Sequence, residues 1–117
     1  PIAVGAALVT TAGQLPSQNV IHVPTMEEPG QKIGAEAVRR AARAALIASD
    51  RNRFKVIAIP GLGTDLGEVP LDESARAIVE EIRAHKRPNP ETVYLVDTNL
   101  EMVQAFEDAL RNAQANL

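Results

Sequence analysis

A short, wholly apolar run between two segments of helical periodicity is the feature that most restricts the fold of this chain. The run covers residues 55–59, Lys-Val-Ile-Ala-Ile, in which the apolar residues follow Lys55, and Pro60 and Gly61 end it. A strand that is apolar on both faces is typical of a parallel sheet buried under helices. The segments on either side, residues 35–50 and 71–87, repeat apolar residues at helical spacing. The pattern therefore predicts a helix, a buried strand and a second helix.

Three further apolar, β-branched runs and one further helix complete the predicted order. The runs cover residues 6–11, 19–23 and 92–96. A Thr-x-x-Glu pattern at Thr98 and Glu101 predicts a capping box that opens the last helix. The order β, β, α, β, α, β, α predicts an α/β fold with a mixed, mostly parallel sheet covered by helices on its faces. The first two strands are close enough in sequence to form an adjacent pair.

Composition restricts the chemistry. The 117 residues are expected to form one domain, and 12 Lys and Arg against 15 Asp and Glu leave a net charge of −3. This balance argues against a nucleic-acid-binding surface. A local basic patch is one interpretation of the clustered arginines and an exposed helix face is the preferred one, for Arg39, Arg40, Arg43, Arg51 and Arg53. The chain has no cysteine, which excludes disulfides and thiolate metal sites, and no apolar run is long enough to cross a membrane. We expect a cytoplasmic protein without metal or cofactor.

The segment with the strongest functional signal is the glycine loop, residues 60–70, which connects the apolar strand to the next helix. Gly61, Gly63 and Gly67 allow positive φ angles and close approach of the backbone to a ligand. Amides in such a loop, next to a helix N-terminus, suit a phosphate. Asp65 and Glu68 oppose an anion unless their side chains point outward. The alternative interpretation is a simple turn between strand and helix.

Catalytic groups are not evident from the residues alone. His22 lies at a strand end and is interpreted as a packing or hydrogen-bonding residue, and His85 as a partner of a helix C-terminus. No combination of serine, histidine and aspartate forms a nucleophilic triad. The catalytic residues are therefore left unassigned.

Two motifs together resemble the macro domain family. Residues 5–16, GAALVTTAGQLP, and the following NVIH at 19–22 resemble the family's Gly-x-Ala, Thr-x-Ala/Gly-Gly and Leu-Pro stretch, which leads into a Val-Ile-His strand. Residues 60–70, PGLGTDLGEVP, resemble its phosphate-binding loop, Leu-Gly-Thr-Gly-x-Gly-Gly-x-Pro. Asp65 and Glu68 stand where that loop usually has glycine. The resemblance extends over essentially the whole chain.

The resemblance implies a three-layer α/β/α module that binds ADP-ribose or an ADP-ribosylated substrate. Residues 1–117 would form the C-terminal two thirds of such a domain, because its usual first strands, adenine-recognising aspartate, Asn-Ala-Ala-Asn segment and Gly-Gly-Gly loop have no counterpart here. These elements would be missing, disordered, cleaved or supplied by another chain, and in the last case a second copy or a partner chain would complete the sheet. Carried over by position, the residues around the diphosphate and distal ribose, and then those near the adenine side, are Gly63, Thr64, Asp65, Leu66, Gly67, Val96 and Asp97.

Three functions stay open. The first is binding of ADP-ribose through the glycine loop. The second is hydrolysis of ADP-ribose esters or ADP-ribose 1″-phosphate, with catalytic residues that would precede Pro1. The third is a structural or interaction domain that has kept the fold and lost the pocket.

Overall fold

The computed structural model describes residues 2–14, 17–26 and 33–115. In these residues the chain forms β1 (Leu8–Thr11), β2 (Asn19–His22), α1 (Ala35–Arg51), β3 (Val56–Ile59), α2 (Leu71–Ala84), β4 (Thr92–Leu95) and α3 (Leu100–Ala115). The order predicted from the sequence is confirmed. Pro1, the Leu-Pro of the first motif and residues 27–32 lie outside the described residues. Among the described helices, none has the length and apolar character needed to cross a bilayer.

The strands form two separate pairs. β1 and β2 are antiparallel, with Leu8 opposite His22, which confirms the predicted adjacent pair. β3 and β4 are parallel, with Val56 opposite Thr92, and α2 is the crossover between them. His22 has the predicted hydrogen-bonding role, because its Nε2 lies 2.9 Å from Oγ1 of Thr10.

The core lies between the parallel pair and the three helices, with α2 in contact with both α1 and α3. Along β3, Ile57 and Ile59 are buried against the helices, whereas Val56 is 58% exposed on the opposite face. Tyr94 of β4 is similarly 59% exposed. The apolar β3 run is therefore covered by helices on one face, and its other face is open in the part of the chain that the structure describes. The side chains that form the core centre are Val38, Leu46, Ile57, Ile59, Ile78, Met102 and Phe106.

Ion pairs join α1 to α2 outside this core. The guanidinium of Arg43 donates to both carboxylate oxygens of Glu81, at 2.8 and 3.2 Å. This hydrogen bonding raises the pKa of Arg43 above its ordinary value. Arg39 lies 2.9 Å from Glu80 one turn away. Arg39 and Arg43 are thus matched by glutamates of α2, whereas Arg40 donates to the carbonyl of Val4 at 3.0 Å. These contacts fit the interpretation as an exposed helix face.

The start of α3 differs from the sequence prediction. The Oδ1 of Asn99 accepts the Glu101 amide at 2.9 Å, and the helix begins at Leu100, so that Asn99 is the N-cap. The capping box predicted at Thr98 is wrong by one residue. Asparagine caps helices at least as well as threonine does, and Asn99 is further held because its own amide donates to Oδ1 of Asp97 at 2.8 Å.

This assignment of the cap gives a direct prediction. Asn99→Ala removes the acceptor of the Glu101 amide and should lower the free energy of unfolding by about 1 kcal/mol. Thr98→Ala leaves that bond intact and should change stability by less than about 0.5 kcal/mol. Urea denaturation of both variants measures the difference. Equal losses would show that the helix cap is shared between the two residues.

Candidate functional site

The glycine loop and the β4–α3 connection meet at the carboxyl ends of the parallel strands. The amide of Val96 donates to the carbonyl of Ile59 at 3.1 Å, which extends the strand pairing up to the loops. Beyond this bond, the amide of Gly61 donates to Oδ2 of Asp97 at 3.0 Å. Residues 36 positions apart in sequence are thus joined at one edge of the sheet. This edge is where open parallel sheets bind ligands.

Helix α2 holds the next residue of the glycine loop. The Oγ of Ser74 accepts the Leu62 amide at 3.2 Å and donates to the Leu62 carbonyl at 2.7 Å. Ser74 has no exposed surface. The Leu62 N–H and C=O belong to two successive peptide units, so this buried hydroxyl fixes the orientation of both peptides that flank the Leu62 Cα. The first two residues of the glycine loop after Pro60 therefore have their amides engaged by the protein itself.

The far end of the loop closes on its own backbone. The amide of Val69 donates to the carbonyl of Gly63 at 2.9 Å, and that of Glu68 to the carbonyl of Asp65 at 3.3 Å. Outside the loop, the amide of Ile33 donates to the carbonyl of Gly67 at 3.3 Å. The carbonyls at three loop positions thus accept hydrogen bonds within the protein, so this backbone is fixed at both ends and at its middle.

Packing inside the protein explains the glycines of this loop. Gly63 has φ +73°, and a Cβ there would lie 2.9 Å from Cδ1 of Ile33. A Cβ on Gly67 would lie 2.8 Å from the carbonyl oxygen of Gly63, and one on Gly61 would lie 2.7 Å from Sδ of Met102. The sequence interpretation assigned the missing Cβ atoms to the approach of a ligand. The structure assigns them to intramolecular contacts, and only Gly63 of the three has the left-handed conformation.

The central amides of the loop have a different environment. The backbone N–H groups of residues 63–67 donate to no acceptor in the described ranges 2–14, 17–26 and 33–115. Folded proteins pair nearly all buried amides, and unpaired runs face solvent or a ligand. The run of N–H groups between two anchored ends is a concentration of partial positive charge. It can donate to an anion with several oxygens.

Acidic side chains border these amides without blocking them. Asp65 is exposed, and its carboxylate makes no hydrogen bond or ion pair with any described residue. Glu68 is also exposed and has φ +57°, which is uncommon for a residue with a side chain. The Asp97 carboxylate contacts the loop at the Gly61 amide, before residues 63–67. The amides of residues 63–67 therefore have no acceptor among the described residues, whereas those of Glu68 and Val69 donate within the loop.

The structure brings together most of the residues named from the sequence. Gly63, Thr64, Asp65, Leu66 and Gly67 form the central part of one loop, and Asp97 contacts its first part. Val96 ends the strand pairing with its side chain 43% exposed. Sequence reasoning missed Ser74. The available signal was a serine within the apolar stripe of the second predicted helix, where a buried hydroxyl needs a partner.

Comparison with known proteins supports the family resemblance. The family model described as Macro domain matches residues 1–78. An uncharacterised protein of Aquifex aeolicus is 53% identical over 110 residues, which cover 94% of this chain and 67% of that protein. An O-acetyl-ADP-ribose deacetylase of an Enterobacter strain is 30% identical over 109 residues, which cover 91% of this chain and 61% of that protein.

A solved structure shows the same fold. A variant of the Oceanobacillus iheyensis macrodomain, crystallised with ADPR, superposes with a TM-score of 0.83 at 20% identity, covering 97% of this chain and 62% of that one. The chain thus spans about three fifths to two thirds of each of these three proteins. The predicted α/β fold is confirmed. Because the Macro domain model matches more than half of its residues, the chain belongs to the Macro domain family.

Proposed function

We propose that this chain binds ADP-ribose, or an ADP-ribosyl group on another molecule, through the backbone amides of the glycine loop. The observation that carries the proposal is the run of N–H groups at residues 63–67 without an acceptor among the described residues. Support comes from family membership and from the Oceanobacillus iheyensis macrodomain structure with ADPR. A diphosphate suits such a run, since its oxygens can accept several amides at once.

The proposed contacts follow the loop. Residues 63–67 would surround the diphosphate and the distal ribose, with their backbone rather than their side chains as donors. Val96 and Asp97 would border the adenine side of the ligand. Both carboxylate oxygens of Asp97 already accept amides, one from Gly61 and one from Asn99. We therefore propose that the ligand meets this segment without using that carboxylate.

Isothermal titration calorimetry with ADP-ribose tests the proposal. A variant of Asp65 adds a second, more specific test. Because Asp65 is exposed beside the amides and unpaired among the described residues, Asp65→Asn removes repulsion of an anion. An exposed charge pair is worth up to about 1 kcal/mol, so ADP-ribose should bind about fivefold more tightly. Asp108→Asn is the matched control, because Asp108 is exposed on α3 and contacts Gln104 and Arg111.

The same titration separates the proposed function from the interaction-domain alternative. Two results would support the proposal that the loop binds an anion. The wild type should give a saturable heat of binding, and Asp65→Asn should bind ADP-ribose more tightly. Absence of heat at millimolar ADP-ribose would overturn the proposal and favour an interaction domain. An equal gain in Asp65→Asn and Asp108→Asn would show that only the net charge matters.

Hydrolysis of an ADP-ribosyl ester is the second candidate. The similarity to a protein named O-acetyl-ADP-ribose deacetylase favours it, and the chain spans 61% of that protein. A turnover assay with O-acetyl-ADP-ribose, followed by chromatography of the product ADP-ribose, distinguishes binding alone from catalysis. Binding without turnover would assign this chain to the binding class.

Completion of the sheet by a second copy or another chain also stays a proposal. Such a chain would pair its backbone with a free edge of the two-stranded β3–β4 sheet. The open face, with Val56 and Tyr94 exposed, would remain to be covered by the same partner. Light scattering after size exclusion measures the mass. A mass of 12.5 kDa across the concentration range would exclude a second copy of this chain.

A further inference from the structure

We propose that Asp97 is a positioning residue, which holds the glycine loop in the conformation that leaves the amides of residues 63–67 available. This inference rests on the proposed function of the loop. It replaces direct ligand contact by the Asp97 side chain with an indirect role. Its basis is the pair of hydrogen bonds that join the loop to the start of α3 through one carboxylate.

The contacts of Asp97 form a continuous connection from the loop to a helix. Its Oδ2 accepts the Gly61 amide at 3.0 Å, and its Oδ1 accepts the Asn99 amide at 2.8 Å. The side chain of Asn99 then caps α3 by accepting the Glu101 amide. Hydrogen bonds between a carboxylate and backbone N–H groups are stronger than those between neutral groups. The position of the loop entry is thus tied to the first turn of α3.

The space around Gly61 supports a positioning role. A Cβ on Gly61 would lie 2.7 Å from Sδ of Met102 and 3.1 Å from Oδ2 of Asp97. The backbone is therefore pressed against α3 as closely as a glycine permits. Ser74 fixes the adjacent Leu62 peptide from α2. Two consecutive residues are thus held from two sides, Gly61 by the β4–α3 connection and Leu62 by α2, and this gives the following amides a defined direction.

At the start of the loop, the backbone amides donate hydrogen bonds to side chains of the protein. Gly61 and Leu62 donate to Asp97 and Ser74, whereas residues 63–67 have no described acceptor. If the Gly61 amide lost its acceptor, the peptide between Pro60 and Gly61 would be free to rotate. Leu62 would then be held by Ser74 alone, and the backbone that leads into residues 63–67 would lose one of its two supports on this side. The Asp97 contact therefore acts on groups that it does not touch.

A charge effect and a positioning effect predict opposite results. If Asp97 acted only as a negative charge beside the amides, its neutralisation would strengthen binding of an anion, as expected for Asp65→Asn. If Asp97 positions the loop, neutralisation weakens binding, because an asparagine offers one acceptor oxygen for two amides. The two Asp→Asn variants make the same change of charge at neighbouring positions. Their comparison isolates the hydrogen bonds.

Titration of ADP-ribose into the full chain tests the inference. Asp97→Asn should raise the dissociation constant about tenfold, the order expected when one charge-assisted hydrogen bond is lost. Asp65→Asn should lower it. Asp97→Glu keeps the charge but displaces the carboxylate by a methylene, and it should also weaken binding. A pure charge effect would instead leave Asp97→Glu unchanged and make Asp97→Asn bind more tightly, which would overturn the inference.

Amide spectra of the free, ¹⁵N-labelled protein give a readout independent of ligand. In Asp97→Asn or Asp97→Glu, whichever folds, the resonances of residues 63–67 should move together with those of Gly61 and Asn99, while thermal unfolding stays cooperative. If only Gly61 and Asn99 move, the positioning role is refuted. If the wild type binds no ADP-ribose, the proposed function fails, and the spectra alone decide whether Asp97 sets the loop conformation.

Discussion

Replacing Gly63 by alanine should lower the free energy of unfolding by about 3 kcal/mol. Two effects add. Gly63 has φ +73°, and the left-handed region costs a residue with a Cβ about 1–2 kcal/mol. The new methyl would also lie 2.9 Å from Cδ1 of Ile33 and 3.1 Å from Cγ2 of Val38, and overpacking of this kind costs about 1–3 kcal/mol. Denaturant unfolding followed by circular dichroism measures the sum.

Gly13→Ala is the matched control for this prediction. Gly13 has φ +61°, but nothing lies within 4 Å of the site of its Cβ among the described residues. Only the conformational cost applies, so the expected loss is about 1 kcal/mol. Equal losses at Gly63 and Gly13 would show that the loop relaxes around the methyl, which would contradict the close packing described for the glycine loop.

Phe106→Ala should have the largest effect on stability, a loss of about 4 kcal/mol. Phe106 is 2% exposed and belongs to the core centre, which also contains Leu46 and Ile57. Removal of the ring takes away buried apolar surface and leaves a cavity that the surrounding helices fill only in part. Guanidinium denaturation measures this loss, with the slope of the transition as a check on the two-state model.

Leu100→Ala on the same helix is the control. Leu100 is 81% exposed at the first position of α3, so its truncation should change the free energy of unfolding by less than about 0.5 kcal/mol. A large loss at Leu100 would mean that this side chain is covered in solution. A small loss at Phe106 would contradict the placement of the core between α3 and the β3–β4 pair.

Stability and binding are separable in this loop. The glycines Gly61, Gly63 and Gly67 each lie against protein atoms, so their substitution reports on packing. Asp65 is exposed, and its substitution reports on the electrostatic potential at the amides of residues 63–67. A test of ligand binding that uses Gly67→Glu would confuse the two, since its Cβ alone would lie 2.8 Å from the Gly63 carbonyl. The aspartates give the cleaner comparison.

Local patterns in the sequence were sufficient to predict the helices and strands and their order. The helical spacing of alanines and aliphatic residues predicted α1 and α2 to within a few residues, and the apolar run at β3 predicted a strand in a parallel pair. The start of α3 was misplaced by one residue, because Thr98 and Asn99 are both good caps. The hydrogen bond from the Glu101 amide to Oδ1 of Asn99 distinguishes them in the structure.

By itself, the sequence determined the element order, the glycine loop and the resemblance to macro domains, because periodicity, turn residues and motifs are local properties of a chain. Tertiary structure alone decided which amides are free. Gly61 is satisfied by a residue 36 positions away and Leu62 by one 12 positions away, and no pattern of neighbouring residues encodes such partners. A backbone N–H has the same chemistry at every position, so only the folded arrangement determines whether it meets a carboxylate, a hydroxyl or a ligand.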